Sequence, residues 1–233
     1  MFFTTPLTPG TLIRRYKRFL ADIELSDGQT VTAHCANTGS MTGLAEPGMK
    51  VLLSPANNPK RKLAYTWEMS FAESTWVGVN TGLTNYLVRE ALQGKKIPQL
   101  ASFDNIRSEV PFGKSTRLDF LLTDNRNSRC FIEVKSVTLR CGEHLAFPDA
   151  VTKRGTRHLQ SLMDVVAQGD RAVLFFLAQR SDGCCFKPAA HIDPTYAKTL
   201  IEAINCGVEV MAWQCITGDS QITVNSPLSM ELS

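Results

Sequence analysis

The spacing of apolar residues changes once along this chain, near residue 80, and that change limits the folds open to it. Before it, apolar residues alternate in short runs broken by turn formers. Residues 16–25, 29–35, 49–54, 64–71 and 75–80 read as strands, with a tight turn at Ser26-Asp27-Gly28 and a loop over 55–59. Five short strands within roughly 70 residues predict a small closed sheet, for which the five-stranded oligonucleotide/oligosaccharide-binding (OB) barrel is the leading form. From Leu83 the period becomes helical and holds to Gln93, where Gly94 ends it. Three strand-like runs follow at 105–110, 117–122 and 130–137, then a helix over 151–168 and a buried strand at 171–177. A helix at 194–205 and a strand at 208–213 complete the order. The reading is an α/β chain of the α+β, two-domain kind: a barrel over 1–80 and an αβββαβ mixed-sheet domain over 81–233.

At 233 residues the chain can bury about 70% of its unfolded surface, so it needs no disulfides to fold. Its 43% hydrophobic and 20% charged residues exclude a disordered, fibrous or disulfide-stapled chain. The longest strongly apolar run is Ala172–Ala178, far short of the roughly 20 residues a membrane helix needs. The opening MFFTTPLTPG has neither the basic nor the apolar part of a signal peptide. Seven cysteines form an odd set without a Cys-x-x-Cys pair. Reduced thiols in a cytoplasmic protein are therefore expected, with no membrane partner.

Net charge is only +3, so bulk charge selects no partner. Local clusters do: Arg14, Arg15, Lys17 and Arg18; Lys60, Arg61 and Lys62; Lys153, Arg154, Arg157 and His158. Compact basic groups replace the counterions condensed on a nucleic acid, so these are candidate phosphate contacts. Arg154 and His158 lie one helical turn apart and share a face. Solvated faces are the plainer alternative for any one cluster. Tyr65 and Trp67 are either stacking platforms for bases or barrel core.

The chemistry gathers at Asp119, Glu133 and Lys135. The turn-rich segment 123–129 predicts a hairpin, and a hairpin centred on Arg126 sets Asp119 opposite Glu133. Alternation then puts Glu133 and Lys135 on one face, with Ile132 and Val134 on the other. Two carboxylates across a ladder repel, and a divalent cation offsets that repulsion. Asp119, Glu133 and a backbone carbonyl suit Mg²⁺, which retains several waters. Glu90, beside the apolar stripe of its helix, is the candidate third carboxylate, and Glu109 its rival. The alternative is a structural ion-pair cluster. Ser108-Glu-Val-Pro-Phe-Gly113-Lys114-Ser115 imitates a phosphate-binding loop, but Gly is missing at its first position and a strand follows it.

A helix, three strands, a helix and a strand, with Asp in the second strand and Glu-x-Lys in the third, resembles the layout of restriction-endonuclease-like PD-(D/E)xK nucleases. Here Leu118 stands where Pro opens that motif. The chain as a whole resembles the sugar fermentation stimulation protein A family. The likeness rests on Leu12-Ile-x-Arg-Tyr-Lys-Arg-Phe-Leu-Ala-Asp22, His34-x-x-Asn-Thr-Gly-x-Met41, Lys60-Arg-Lys62 and Arg117-x-Asp-Phe120. It continues through Ile132-Glu-Val-Lys-Ser-Val-Thr138, Phe147-Pro-Asp-Ala-Val-Thr152 and Arg154-Gly-x-x-His-Leu159. The resemblance implies an OB-type barrel, a nuclease-like second domain, DNA binding without sequence preference, and a regulatory link to maltose metabolism. It leaves cleavage open. The expectation is a DNA-binding protein with a candidate Mg²⁺-dependent phosphodiesterase site. A non-catalytic regulator and a single-strand or RNA binder are the alternatives.

Overall fold

In the computed structural model, which describes residues 1–56, 60–113 and 116–232, five strands close a ring. They are β1 (Thr8–Tyr16), β2 (Leu20–Leu25), β3 (Thr30–Cys35), β4 (Lys50–Pro55) and β5 (Tyr65–Ala72). Their neighbours run β3-β2-β1-β4-β5, and β3 meets β5 in parallel to complete the circuit. Closure leaves the ring no free edge, which is why strands this short are stable together. Leu12, Ile23, Val51, Leu53 and Trp67 fill its interior.

This is the expected OB barrel, with one stave different. The run at 75–80 gives β6 (Thr75–Gly78), a hairpin partner of β5 outside the ring. The missing stave is β1. Pro9 and Gly10 hide it in the sequence, and a register shift between Leu12 and Arg14 breaks its alternation and leaves Ile13 exposed. The strand expected from residue 16 instead begins at Leu20, because the chain turns at Lys17 and Arg18, both at positive φ. Of the loop expected over 55–59, residues 57–59 lie outside the described residues.

After β6 come α1 (Thr84–Gln93), β7 (Asn105–Phe112), β8 (Thr116–Thr123), β9 (Arg129–Val137), β10 (Leu139–Cys141) and β11 (His144–Phe147). Then follow α2 (Lys153–Ala167), β12 (Arg171–Ala178), β13 (Cys185–Pro188), α3 (Pro194–Asn205), β14 (Glu209–Thr217), β15 (Ile222–Pro227) and β16 (Ser229–Met230). Six of these strands form a mixed sheet in the order β15-β14-β12-β9-β8-β7. β9, β12 and β14 run parallel, and antiparallel hairpins extend both sides. This is the expected restriction-endonuclease-like domain. Alternate residues of its strands feed opposite cores: Ile132, Val173 and Phe175 pack with α1, while Phe131, Leu174 and Phe176 pack with α2 and α3. α2 starts two residues later than expected because Thr152 caps it, its hydroxyl accepting the Gly155 N–H. A small sheet, β10-β11-β13-β16, was not anticipated.

The core on the α1 side also contains Leu7, Leu52 and Met69, so apolar contact crosses from barrel to mixed sheet. Phe2 bridges to Gln221 beside β15. Buried Glu68 of β5 accepts from Ser54 at 2.6 Å and from Asn80 Nδ2 at 2.8 Å, and Asn80 in turn caps the turn that leads into α1. Among the described residues no helix is long and apolar enough to cross a membrane. All seven cysteines are free.

Candidate active site

β8 and β9 pair in the register expected from a turn centred on Arg126: Phe120 faces Ile132, and Thr123 faces Arg129. Asp119 and Glu133 would form the next pair, but the ladder opens there. Asp119 Oδ2 itself accepts the Val134 N–H at 2.7 Å. Oδ1 accepts Asn85 Nδ2, from the first turn of α1, also at 2.7 Å. The pleat is disturbed on both strands at this level. Glu109, between the pairs Ser108–Phe120 and Val110–Leu118, has φ +54. Leu118 packs with α2 while Phe120 packs with α1, although a regular strand would send both to one face. This irregularity frees the Asp119 carboxylate from the sheet surface, as strand bulges do beside many sites.

Glu133 is almost fully buried, at 2% exposed. Its Oε1 accepts from Lys135 Nζ at 2.6 Å and from His158 Nδ1 in close contact. Arg154 Nε lies 3.3 Å from His158 Nε2. Arg154 is only a donor, so Nε2 accepts and Nδ1 carries the proton given to Glu133. The 3.2 Å approach of Lys135 Nζ to Nδ1 is then a contact, not a bond. Oε2 of Glu133 is buried without a partner among the described residues, an uncommon state for a carboxylate oxygen.

Burial, and then the nearby charge of Glu133, push the Asp119 carboxyl up to about 6, against the lowering pull of its bonds to Val134 and Asn85. Burial also pushes Glu133 up, but the His158 hydrogen bond and the Lys135 charge outweigh it and hold this carboxyl below its usual value. Asp119 and Glu133 line a cleft of about 290 Å³ with Thr84, Asn85, Lys135, Ser136, Arg154 and His158. Among the described residues no cluster of three or more His, Cys, Asp or Glu side chains is arranged to hold a metal. Two carboxylates, one with an unpartnered oxygen, suit a cation that keeps most of its waters, as Mg²⁺ does.

Glu90 and Glu109 do not join them. The first turn of α1 faces the opened ladder, and Glu90 lies farther along, 2.5 Å from the Met1 amine. Glu109 is exposed and 4.0 Å from Arg117. From α1 it is Asn85 that reaches the site, donating to Asp119; sequence reasoning missed it because an amide carries no metal-ligand signal. His158, expected as a phosphate contact, is buried with both ring nitrogens engaged, by Arg154 and by Glu133, whose carboxylate it orients. Trp67 is barrel core, its indole N–H donating to the Met69 carbonyl, and Tyr65 packs partly buried against that core.

Among the other basic residues, Arg14 pairs with Asp22 at 2.8 Å, and Arg15 binds the carbonyls of Asn37 and Gly39. Lys17 and Arg18 are exposed at the β1–β2 turn. Lys60, Arg61 and Lys62 lie in the β4–β5 connection, where Arg61 reaches Thr66 Oγ1 at 3.3 Å. These are the two connections that flank the ligand face of OB barrels. Arg154 lines the cleft, and Arg157 is exposed on the same helix. Lys114 and Ser115, which end the dismissed phosphate-loop imitation, lie outside the described residues.

Two family models match: the SfsA N-terminal OB domain over residues 13–79, and the sugar fermentation stimulation protein RE domain over residues 82–221. A sugar fermentation stimulation protein homolog of Geobacter sulfurreducens is 50% identical over 98% of this chain and 97% of its own. One from Magnetococcus marinus is 52% identical over the full length of both. The structure of Pyrococcus furiosus SfsA in complex with Ca²⁺ aligns at a TM-score of 0.91 with 27% identity, covering 99% of this chain and 98% of that one.

Proposed function

We propose, from the premise that the chain belongs to the sugar fermentation stimulation protein family, that it binds DNA without sequence preference and cleaves phosphodiesters at Asp119 and Glu133 with Mg²⁺. The carrying observation is the buried, unpartnered Glu133 Oε2 beside the raised carboxyl of Asp119. An archaeal relative of nearly the same fold was solved with Ca²⁺, another oxygen-seeking divalent cation, which favours a cation here. Asp119 and Glu133 would hold Mg²⁺, which, when bound, neutralises phosphate charge and lowers the pKa of a bound water. His158 and Lys135 fix Glu133 through Oε1 and leave Oε2 free to bind. The Lys135 ammonium, in the same cleft, orients the attacking water and opposes developing negative charge. Arg154 offers the phosphate a cationic partner.

In this reading residues 1–80 are the binding module and 81–233 the catalytic one. Lys17, Arg18 and the 60–62 cluster supply phosphate contacts on the barrel, with Arg157 adding one on α2. Free thiols throughout suit a cytoplasmic setting. The test is calorimetric titration of Mg²⁺ into wild type, Asp119→Ala and Glu133→Ala, with cleavage assays on plasmid, linear and branched DNA. Wild type should bind the cation and cleave. Both variants should lose these activities and keep salt-sensitive DNA binding. Equal, undetectable Mg²⁺ binding in all three would leave a non-catalytic DNA-binding regulator as the function.

A further inference from the structure

We propose that a trough running from the β1–β2 turn to the Asp119–Glu133 cleft is the track of a single, unpaired DNA strand; this deepens the phosphodiesterase reading and rests on it. Three hollows adjoin end to end. The first, about 660 Å³, starts at Lys17 and Arg18 and ends at Thr38, Gly39 and Ala150. Those three residues also open the second, about 360 Å³, which lies between residues of the barrel and of the mixed-sheet domain and ends at Thr81 and Ser136. Thr81 and Ser136 are in turn part of the active-site cleft. Each hollow thus shares lining residues with the next.

The trough walls are held at a set spacing. Ser40 Oγ donates to the Asp149 carbonyl at 2.8 Å, and the Met41 N–H donates to Asp149 Oδ2 at 3.3 Å. Gly39 permits this approach, because a Cβ there would strike the Asp149 carboxylate. Thr81 Oγ1 ties the far end to the Ala36 carbonyl at 2.6 Å. Loops from both domains thus line one fixed passage.

Its chemistry changes along its length. Lys17 and Arg18 stand at one end and Arg154 at the other, where phosphates can be held. Glu46 lines the first hollow as its one acidic residue, and the second is largely neutral and hydrogen-bonding, with Asn37, Thr38 and Ser136, and with Asp149 able to accept from a base amine. Half-buried Tyr16 and Phe147 line the first and second hollows; the Arg14 guanidinium lies over the Tyr16 ring at 4.9 Å, and Phe147 packs edge-on against Tyr196. A duplex hides its base faces and edges inside two phosphate ridges, and would meet cations only at the ends of this passage. An unpaired strand offers bases to the rings and amides, and its backbone to the basic ends.

The test measures anisotropy of a fluorescein-labelled, mixed-sequence single strand of roughly 12 nucleotides, a length an OB-type site accommodates, against its blunt duplex, using the full chain in EDTA. Thr38 and Ala150 are exposed at the junction of two hollows, so Thr38→Glu and Ala150→Glu add a negative charge to the track without touching the core. Wild type should prefer the single strand at least tenfold, and each variant should lose at least tenfold in single-strand affinity while melting as wild type does. Unchanged single-strand affinity in both variants, or a wild type that binds duplex as tightly, would overturn the proposal. Calorimetry keeps the two readings apart. If Mg²⁺ binding is undetectable in wild type and Glu133→Ala while the trough variants still lose the strand, the catalytic reading falls and the trough stands. If Glu133→Ala loses Mg²⁺ while the trough variants bind normally, the trough alone falls.

Discussion

Replacing Asp119 with Asn should make the metal-free protein more stable while destroying the proposed cation site. The carboxyl rises from an ordinary 3.8 to about 6 in the fold, chiefly through burial and then through the charge of Glu133. The folded state therefore binds this proton more tightly than the unfolded state does. Stability from this group is fully present below about pH 4 and is lost as pH rises to about 6; above that the full cost remains. Each tenfold change in proton affinity is worth about 1.4 kcal/mol, so the cost at pH 8 is at most about 3 kcal/mol. Solvent reaching Asp119 reduces it, and the amide keeps the bond to Val134 while straining the one to Asn85. A net gain of about 2 kcal/mol is expected, or roughly 4–8 °C in melting temperature for a chain of this size. The assay is thermal unfolding of both proteins in EDTA at pH 8 and pH 4.5. The gap should be wide at pH 8 and shrink at pH 4.5, and Mg²⁺ should raise the melting temperature of wild type alone. A variant less stable than wild type at pH 8 in EDTA, or an equal gap at both pH values, would refute the electrostatic account.

Lys17→Glu combined with Arg18→Glu should weaken DNA binding on every sequence alike and flatten the log–log salt dependence by about two, measurable by anisotropy from low to moderate salt. Leu87→Ala, in the core under α1, should cost about 2–5 kcal/mol in urea unfolding, because Leu87 is fully buried among packed neighbours. Gly39→Ala should cost about 1–3 kcal/mol in the same assay, since its methyl must displace Asp149; a neutral result would show that the two walls can part freely.

The hairpin between β8 and β9 was legible because its turn residues are concentrated around Arg126 and the strands alternate on either side. Register follows from those two local facts, and with it the opposition of Asp119 and Glu133. The helices of the second domain were legible for the same kind of reason: periodic apolar faces with glycine just beyond α1 and α3. β1 was not, because Pro9, Gly10 and a bulge erase the alternation that identifies a strand. Its place in the ring is decided by pairing with β4, which lies far along the chain. The place of Glu90 beside the Met1 amine was not legible, because periodicity tells which stripe of a helix is apolar, but not which turn of that helix meets the site.

Composition, period and turn chemistry determined a barrel followed by a mixed sheet, and set two carboxylates and a lysine on neighbouring strands. Those are short-range properties, encoded within a few residues of where they act. Tertiary structure alone decided that His158 bonds Glu133, that Arg15 binds the Asn37 and Gly39 carbonyls, and that Asn85 reaches Asp119. It also joined the 37–41 and 147–152 loops into one passage. Each of these depends on a partner far along the chain, and the choice among partners is made by burial: a polar group shut away from water takes whichever neighbour the packing brings within bonding distance.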